Sequence, residues 1–398
     1  MKKKIRSQKP TAVRSTPTVN VSPRLSYFEE RKGAIVETIR QMVEIESPSD
    51  NKQAVDKLGR WLASKFEALG GHSKFHRVAN FGDHLQVDFP GRDRRKPVLL
   101  LGHLDTVYPL GTLASMPCRI SDGRLSGPGA LDMKAGIAFM LYALDSLRDQ
   151  DGTVPRAVTV LLVSDEEVGS DSSRRITEEV AKKSGAVLVL EPSFGLQGAL
   201  KTARKGVGQY QLKVSGVAAH SGLDFEKGHS AILELARQIE RISKFTDLKR
   251  GLTVSVGLVQ GGTRVNVVPA EATATIDVRI AKASDGASID RKLRSLKPVN
   301  RKCRLHFSGG VDRPPLERNP GVVSLFRKAS ELAKPLGWKL TEAAVGGGSD
   351  GNLTAALGIP TLDGLGAVGE GAHAVNESIV ISECPRRTAL LATLIEAV

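Results

Sequence analysis

Histidines and acidic residues stand at the ends of several hydrophobic runs in this chain. They are His103 and Asp105 in VLLLGHLDTVYP, Asp132 in GPGALDMKAG, Glu166 and Glu167 in LLVSDEEVGS, Glu191 in LVLEPS, and His373 in GEGAHAVNE. Imidazole nitrogen and carboxylate oxygen are ligands of divalent zinc, and one carboxylate can bridge two ions. This set of residue types predicts a two-zinc hydrolase site, in which Co²⁺ or Mn²⁺ could substitute for zinc.

The elements that position these residues are short apolar stretches. Stretches at residues 97–101, 157–163 and 186–190 are rich in leucine and β-branched residues, and each comes just before candidate ligands. Such stretches are typical of strands in the interior of a sheet. Ligands of open α/β sheets bind at the carboxyl ends of the strands, so we expect the candidate residues to meet there.

The adjacent glutamates Glu166 and Glu167 allow two different roles. If the loop directs Glu167 at a metal, Glu166 can face a bound water and accept its proton as a general base. The alternative is a solvated acidic start of a helix, with Asp165 and Glu166 stabilised by the helix dipole.

The order of the remaining elements is that of an α/β protein. We predict helices at residues 37–45, 53–69 and 133–147 and a polar helix at 171–183, with strands at 84–89, 97–102, 157–164 and 186–191. Alternation of this kind is typical of an α/β catalytic domain.

The pattern changes between residues 202 and 311, which we call the lid domain. Strand, helix, strand, strand, helix and strand are predicted in turn at residues 209–214, 230–242, 252–258, 271–280, 286–296 and 304–307. This order indicates a ferredoxin-like α+β domain inserted into the catalytic domain. The predicted division is a basic tail at 1–26, catalytic segments at 27–201 and 312–398, and the lid domain between them. The second segment contains predicted helices at 320–333 and 386–397.

Composition narrows the class of protein. A chain of 398 residues with 40% hydrophobic and 25% charged residues is ordinary globular material, and its apolar runs are too short to span a bilayer. The net charge of +14 is concentrated in the tail, where seven basic residues and no acidic residue precede position 25. We expect this tail to be disordered. The low aromatic content, 4%, gives little support to nucleic-acid binding.

The three cysteines are Cys118, Cys303 and Cys384, and their wide spacing contains no CxxC pair. We expect free thiols in a reducing compartment, which predicts a cytoplasmic protein.

The chain from about Tyr27 to Val398 resembles the M20 family of metallopeptidases, within it the glutamate carboxypeptidase branch. The motifs that carry the resemblance are those above together with AHSG, GGTRVNVVPAEA, GGGSDGN and GLGAVGEGAH. The resemblance implies a zinc-exopeptidase-like catalytic domain. It also implies that the inserted ferredoxin-like domain serves as a lid and joins two copies in a homodimer.

The resemblance also assigns roles to the candidate ligands. His103, Asp132 and Glu191 would hold one zinc ion, and Asp132, Glu167 and His373 would hold the other, with Asp132 bridging. Glu166 would be the general base, and the carboxylate of Asp105 would orient His103. Glutamate at position 191 favours a carboxypeptidase or deacylase, because aminopeptidase members usually carry aspartate there.

Substrate contacts follow from the same resemblance. His220 would stabilise the oxyanion, and Asn266 and Arg279 would bind substrate, the guanidinium of Arg279 holding a free carboxylate. Arg204 and Lys205 would meet an acidic side chain. Gly347, Gly348 and Ser349 would contact the substrate backbone. From the residues alone, a capping loop histidine, surface cations and a flexible glycine turn remain the alternatives.

The predicted activity is hydrolysis of the amide bond before a C-terminal amino acid, preferably glutamate-like, in a small peptide or an N-acyl amino acid. Glu166 would take a proton from the attacking water and return it to the leaving amine. One alternative is an N-acyl-amino-acid deacylase or desuccinylase of the same family. Another is a non-catalytic, metal-binding scaffold protein. Neither nucleic acid nor a membrane is expected as a partner.

Overall fold

A computed structural model describes residues 23–148 and 153–398. Its helices are α1 Pro23–Glu30, α2 Lys32–Val43, α3 Lys52–Glu67, α4 Ala135–Leu147, α5 Arg174–Lys183, α6 Ala231–Ser243, α7 Ala283–Arg294, α8 Pro320–Ala333, α9 Gly351–Ala356 and α10 Cys384–Ala397. The prediction of a disordered tail at residues 1–22 lies outside the described residues. It is wrong for residues 23–26, which form the first turn of α1, where Arg24 pairs with Glu396 at 2.5 Å.

The strands fall into two larger sheets and smaller pairings. They are β1 His72–His76, β2 His84–Phe89, β3 Val98–His103, β4 Arg119–Ser121, β5 Arg124–Ser126, β6 Val158–Val163, β7 Ala186–Val189, β8 Leu200–Arg204, β9 Gly206–Ser215, β10 Ala219–His220, β11 Thr253–Gly261, β12 Val267–Val268, β13 Glu271–Ile280, β14 Arg304–Arg313, β15 Glu342–Val345, β16 Thr361–Leu362, β17 Gly369–Glu370 and β18 Ser378–Val380.

The larger sheet has the order β1-β2-β6-β3-β7-β16. β3 lies parallel to both β6 and β7, so these three strands end at the same edge. Every residue of β3, β6 and β7 is buried, because helices cover both faces. On one face Leu100 packs in the main core with α2, α4 and α10, and on the other Leu99 packs near Val180 of α5.

The lid domain contains the predicted ferredoxin-like arrangement. Its chain order is β9, α6, β11, β13, α7, β14, and its antiparallel sheet has the order β11-β13-β9-β14. The last strand was predicted at residues 304–307 but continues to Arg313, pairing with β9 along almost its whole length. The small pair of β10 with β12 was not predicted. The α/β fold with an inserted α+β domain is therefore confirmed.

Two chain segments connect the lid sheet to the rest of the protein, at Arg204–Gly206 and Arg313–Leu316. They lie side by side, since Arg204 N donates to Leu316 O and Leu316 N donates to Arg204 O, both at 3.0 Å. The lid sheet itself runs from Gly206 to Arg313, whereas the predicted domain boundaries were 202 and 311.

Element boundaries differ elsewhere from the prediction by a few residues. The polar helix predicted from residue 171 starts at Arg174, because the Asp165 carboxylate accepts the backbone N–H groups of Ser172 and Ser173 and folds this segment as a turn. The predicted helix at 37–45 starts earlier, at Lys32, since Ile35 and Val36 extend its buried stripe.

All three cysteines are unpaired, as predicted, with Cys303 and Cys384 buried. No helix within residues 23–148 and 153–398 combines the length and the apolar character needed to cross a membrane.

Candidate metal centre

The candidate ligands meet at the carboxyl edge of the larger sheet. His103 is the last residue of β3, Glu166 and Glu167 follow β6 after two residues, and Glu191 follows β7 after one. Asp132 lies just before α4, and His373 lies in the loop between β17 and β18. The candidate ligands thus come from five separate segments of the chain and lie together at the sheet edge where we expected them.

The first group consists of His103, Asp132 and Glu191. Nε2 of His103 lies 3.1 Å from Oδ1 of Asp132 and 3.4 Å from Oε1 of Glu191. Nδ1 of His103 donates to the backbone carbonyl of Asp105 at 2.9 Å, so Nδ1 carries a proton and Nε2 is the nitrogen that a metal would take, in place of its proton. That tautomer is the one a metal ligand needs.

The second group consists of Asp132, Glu167 and His373. Nε2 of His373 lies 3.5 Å from Oδ2 of Asp132 and 3.2 Å from Oε2 of Glu167. Each group offers three ligand atoms within 4.8 Å of one another. Asp132 belongs to both groups and turns a different oxygen to each histidine, which is the arrangement of a bridging carboxylate.

An unpaired oxygen supports the interpretation of these groups as metal ligands. Oε1 of Glu167 is buried and has no hydrogen-bond partner among the residues that the structure describes. A buried carboxylate oxygen without a partner is costly, and a divalent cation would satisfy it. The donor set of imidazole nitrogens and carboxylate oxygens also suits zinc and related divalent ions.

Electrostatic coupling in the cluster is strong. Burial would raise the pKa of Asp132, but His103 and His373 outweigh it and hold that pKa far below its usual value. Hydrogen bonds to Asp132 and Glu167 raise the pKa of His373 to about 10. Burial lowers the pKa of His103, yet Asp105, Asp132 and Glu191 together raise it well above its usual value. A cluster that attracts protons this strongly also attracts metal cations.

Asp105 orients His103 by a different contact from the one predicted. The imidazole donates to the backbone carbonyl of Asp105, and the nearest carboxylate oxygen is farther away, at 3.5 Å. The carboxylate instead accepts from Ser49 Oγ at 2.7 Å and from the backbone N–H groups of Glu166 and Glu167 at 3.3 and 3.2 Å. Asp105 therefore fixes the Glu166–Glu167 loop next to His103.

Glu377 was not among the predicted site residues. Its fully buried carboxylate accepts from the backbone N–H groups of Leu131 at 2.7 Å and Asp132 at 2.9 Å. It also accepts from Tyr108 Oη, which in turn contacts the backbone carbonyl of Ala374, next to His373. Glu377 thereby holds the Asp132 backbone and the His373 loop in one network. Its position four residues after His373 is the only sequence signal.

Arg204 was predicted to contact substrate, but its guanidinium is fully engaged within the protein, so this prediction is wrong in this structure. Its buried guanidinium donates to both oxygens of Asp363, at 2.7 and 3.0 Å, and to Oε2 of Glu191 at 3.1 Å. It also donates to the carbonyls of Gly347 and Gly348. Arg204 therefore orients Glu191 and has no donor pointing to a ligand.

Ser349 requires a similar correction. Its hydroxyl is buried and donates to Oδ2 of Asp363 at 2.6 Å, so the side chain is engaged within the protein. Gly347 and Gly348 differ, because no acceptor for their backbone N–H groups is found in the described parts of the chain. Those two amides remain suitable for contact with a substrate backbone.

Arg313 is a second residue that the sequence analysis missed. Its Nη1 lies 2.8 Å from Oε1 of Glu166 and 3.1 Å from Oδ1 of Asp350, and its Nη2 donates to Ser170 Oγ at 2.6 Å. Burial raises the pKa of Glu166 well above its usual value, and the charge of Arg313 only partly opposes this effect. A carboxyl group with a raised pKa is suited to general acid–base chemistry.

No hydrogen bond or ion pair joins the other predicted lid-domain contacts to the ligand cluster among the described residues. His220 and Asn266 are exposed, and Ser221 N donates to the carbonyl of Asn266 at 3.1 Å. Lys205 is half-buried, and its backbone N–H donates to Val345. Arg279 lines a cavity of about 600 Å³ together with Arg313 and Gly169, which connects it to the surroundings of Glu166.

Comparison with known proteins agrees with this geometry. Residues 99–397 match the Peptidase family M20/M25/M40. Carboxypeptidase G2 of a Pseudomonas species is 30% identical over 374 residues, covering 92% of this chain and 89% of the relative. A probable carboxypeptidase of Aspergillus flavus is 26% identical over 343 residues, covering 80% of this chain and 71% of that protein.

Solved structures show the same fold. An aminopeptidase of Bacillus cereus has a TM-score of 0.76 at 23% identity, covering 92% of this chain and 98% of the other. An M20 family metallo-carboxypeptidase of Sulfolobus solfataricus has a TM-score of 0.69 at 17% identity, covering 92% and 99%.

The fold, the clustered ligands and these relatives define a metal-dependent peptide hydrolase. Because the family match covers more than half of the sequence, the chain belongs to the Peptidase family M20/M25/M40. The predicted family and enzyme class are thus confirmed.

The Glu377 network gives a first prediction. Glu377→Ala removes the acceptor for two buried backbone N–H groups beside Asp132, so divalent metal affinity should fall by about 10- to 100-fold. Elemental analysis after dialysis against a series of chelator concentrations measures this change.

Glu370→Ala is the matched control, since Glu370 is an exposed glutamate of the same region that pairs only with Arg124. The control should bind metal like the wild type. A folded Glu377→Ala variant with unchanged metal affinity would show that the loop holds Asp132 without this carboxylate.

Proposed function

We propose that this protein is a di-zinc carboxypeptidase. It would hydrolyse the amide bond before a C-terminal residue, preferably glutamate-like, in small peptides or N-acyl amino acids. The observation that supports this most directly is the shared carboxylate of Asp132 between two ligand groups, with the largely buried glutamate Glu166 in electrostatic contact with Glu191 and His103.

The residues fit two ions in the following way. His103, Asp132 and Glu191 would hold one, and Asp132, Glu167 and His373 the other. Zinc ions bound there would lower the pKa of a water molecule and polarise the scissile carbonyl. An M20 peptidase of Bacillus subtilis with the same fold is described as dinuclear metal binding, at a TM-score of 0.69 and 15% identity.

Glu166 performs the proton transfers in this proposal. It takes a proton from the attacking water and returns it to the leaving amine. Arg313 holds one oxygen of Glu166, which fixes the direction of the carboxylate. Burial keeps the affinity of Glu166 for a proton high, as a group that both accepts and returns one requires.

His220 would stabilise the oxyanion. Its Nδ1 accepts from the backbone N–H groups of Gly222 and Leu223 at 3.1 and 3.2 Å, so Nε2 carries the proton and can donate. Among the described residues, no hydrogen bond or ion pair joins His220 to the cluster. It would reach the reacting carbonyl by a movement of the lid domain or from a second copy, and Asn266 would arrive with it.

The role of Glu166 is tested by Glu166→Gln. The variant keeps size and polarity but cannot accept a proton, so kcat should fall on the order of 10²- to 10⁴-fold while metal content stays at the wild-type value. Steady-state kinetics and elemental analysis on the same preparations measure both.

Glu167→Gln is the adjacent comparison and should lose metal and activity together, because Glu167 would be a ligand. Full activity in Glu166→Gln would show that the proton acceptor is another group.

Arg279 is proposed to bind the free α-carboxylate of the substrate. Its Nε donates to Asp277 at 3.0 and 3.2 Å, while its terminal nitrogens have no hydrogen-bond partner among the described residues. A guanidinium with free terminal donors in a cavity shared with Arg313 suits a carboxylate.

Replacing the α-carboxylate of the substrate by an amide should cost about 2–5 kcal/mol of transition-state binding. Arg279→Ala should abolish this discrimination without changing metal content, and kcat/KM for acid and amide forms measures it. Arg304→Ala, which removes an exposed arginine of β14, is the control. Equal wild-type rates on acid and amide would identify a broader amidase instead.

The two alternative functions differ in which of these residues they would use. An N-acyl-amino-acid deacylase or desuccinylase would use the same ligands and differ only in the acyl group accepted. A metal-binding scaffold would retain the ligands but has no need of Glu166 held by Arg313 beside them. The relatives named as carboxypeptidases favour the first proposal. Unpaired cysteines are compatible with the proposed cytoplasmic location.

A homodimer through the lid domain is part of the proposal. Among the described residues β11 pairs only with β13, so its other edge is open to a second copy. Along this strand Leu258 is 65% and Val259 56% exposed. Further exposed apolar residues of the lid domain are Leu223, Phe225, Leu233 and Val265.

Leu258→Asp should disrupt this dimer, because a two-fold interface would contain two new unpaired charges. The dissociation constant should rise on the order of 100-fold, as for loss of a central contact, and sedimentation velocity over a concentration series measures it. Leu248→Asp is the control, since Leu248 is 76% exposed but precedes β11. A monomeric wild type at micromolar concentration would contradict the proposal.

A further inference from the structure

A buried lysine beside the candidate metal centre has no partner within residues 23–148 and 153–398. Lys201, in β8, is 8% exposed. The buried cations of the described chain are Lys134, Arg156, Lys201, Arg204, Arg313 and Arg387. Each of the others donates to a carbonyl or carboxylate oxygen, whereas Lys201 Nζ makes neither a hydrogen bond nor an ion pair with a described residue.

The backbone of Lys201 is firmly held. Its N–H donates to the carbonyl of Asp363 at 2.9 Å, and β8 pairs with β15 at this position. The start of the side chain packs on Gly364, where an added Cβ would lie 3.1 Å from Lys201 Cγ. The backbone of β15 and the Asp363–Gly364 segment therefore fix the base of the Lys201 side chain.

The charges that act on Lys201 include those of the candidate metal centre. Burial lowers the pKa of Lys201, the charge of Arg204 lowers it further, and Asp363, Glu191 and Asp132 oppose both effects. Two of these carboxylates, Glu191 and Asp132, are candidate metal ligands. Lys201 therefore lies near Glu191, because its backbone N–H contacts Asp363, and Asp363 and Glu191 share the guanidinium of Arg204.

The carboxylates of the cluster do not need the charge of Lys201 to be neutralised. Asp363 and Glu191 already receive the guanidinium of Arg204, and Asp363 also receives the hydroxyl of Ser349. Two divalent ions would more than neutralise the three carboxylates that hold them. An ammonium group that keeps only slight contact with water beside a metal-loaded centre is then unfavourable unless an anion joins it.

We propose that Lys201 is the residue that determines specificity for an acidic C-terminal side chain, by binding its carboxylate. This inference rests on the proposed carboxypeptidase function. Arg204, predicted for that task, is engaged within the protein, and Arg279 is assigned to the α-carboxylate. An ammonium group with three rotatable donors suits a side-chain carboxylate that approaches from the cleft.

The test compares N-benzoyl-L-glutamate with N-benzoyl-L-glutamine, whose side chains share one shape and differ in charge. Wild-type kcat/KM should favour the glutamate substrate on the order of 10- to 100-fold, as expected for a hydrogen bond to a charged partner. Lys201→Met should bring the ratio close to one by raising KM for the glutamate substrate. The glutamine substrate and metal content should be unaffected.

Lys201→Gln, with a polar but uncharged tip, provides a second variant if Lys201→Met does not fold. Lys213→Met is the matched control, because Lys213 is an exposed lysine that pairs with Glu271 on the lid sheet. It should keep the wild-type ratio. A preserved glutamate preference in folded Lys201 variants, or its loss in Lys205→Met instead, would overturn the inference.

Binding separates this inference from the proposed function. Calorimetric titration with free L-glutamate and L-glutamine needs no turnover, and only the wild type should bind glutamate more tightly. If the wild type cleaves neither substrate, the proposed function fails while this binding difference still decides the role of Lys201. Equal binding of both amino acids by the wild type would overturn the inference.

Discussion

The carboxylate of Asp132 between two imidazoles is the interaction around which the site is arranged. His103 reaches it from the end of a buried strand, and His373 reaches it from a loop near the other end of the chain. Since the two oxygens serve different partners, a small rotation of Asp132 would disturb both groups. The backbone hydrogen bonds from Asp132 and Leu131 to Glu377 restrict that rotation. Metal affinity at this site should therefore depend on the position of the Asp132 backbone as well as on the types of ligand.

A second constraint is the concentration of like charge. Glu166, Glu191, Asp350 and Asp363 lie close together and are largely shielded from solvent, so repulsion among these carboxylates is weakly screened. Arg204 and Arg313 each contact two of them. Removing either arginine would leave buried carboxylates unpaired, which is far more costly than loss of a surface ion pair. These two arginines therefore connect the stability of the fold to the geometry of the candidate site.

Much of this site could be predicted from sequence because the information is local. A buried strand followed at once by His103 or by Glu191 places a ligand at a sheet edge, and the parallel order of strands then brings the ligands together. Glu377 and Arg313 could not be found in this way. Each acts on a residue far away in the chain, and neither is preceded by a pattern that distinguishes it from a surface charge.

The incorrect assignments have a related cause. Arg204 and Ser349 were correctly placed near the site, but the sequence does not show that Asp363 receives both side chains. Partner choice among buried polar groups depends on distances of an ångström or two, which residue types and spacing do not specify. The fold class and the inserted domain, in contrast, depend on periodicity summed over many residues. They were predicted well, apart from strand ends such as that of β14.

The double connection at Arg204–Gly206 and Arg313–Leu316 has a mechanical consequence. The two segments are joined by two backbone hydrogen bonds. One segment carries Arg204, which contacts Glu191, and the other carries Arg313, which contacts Glu166. A rotation of the lid domain would move these two arginines, and with them the carboxylates that they contact. A ligand bound to the lid domain could therefore shift the positions of Glu166 and Glu191 without contacting either arginine.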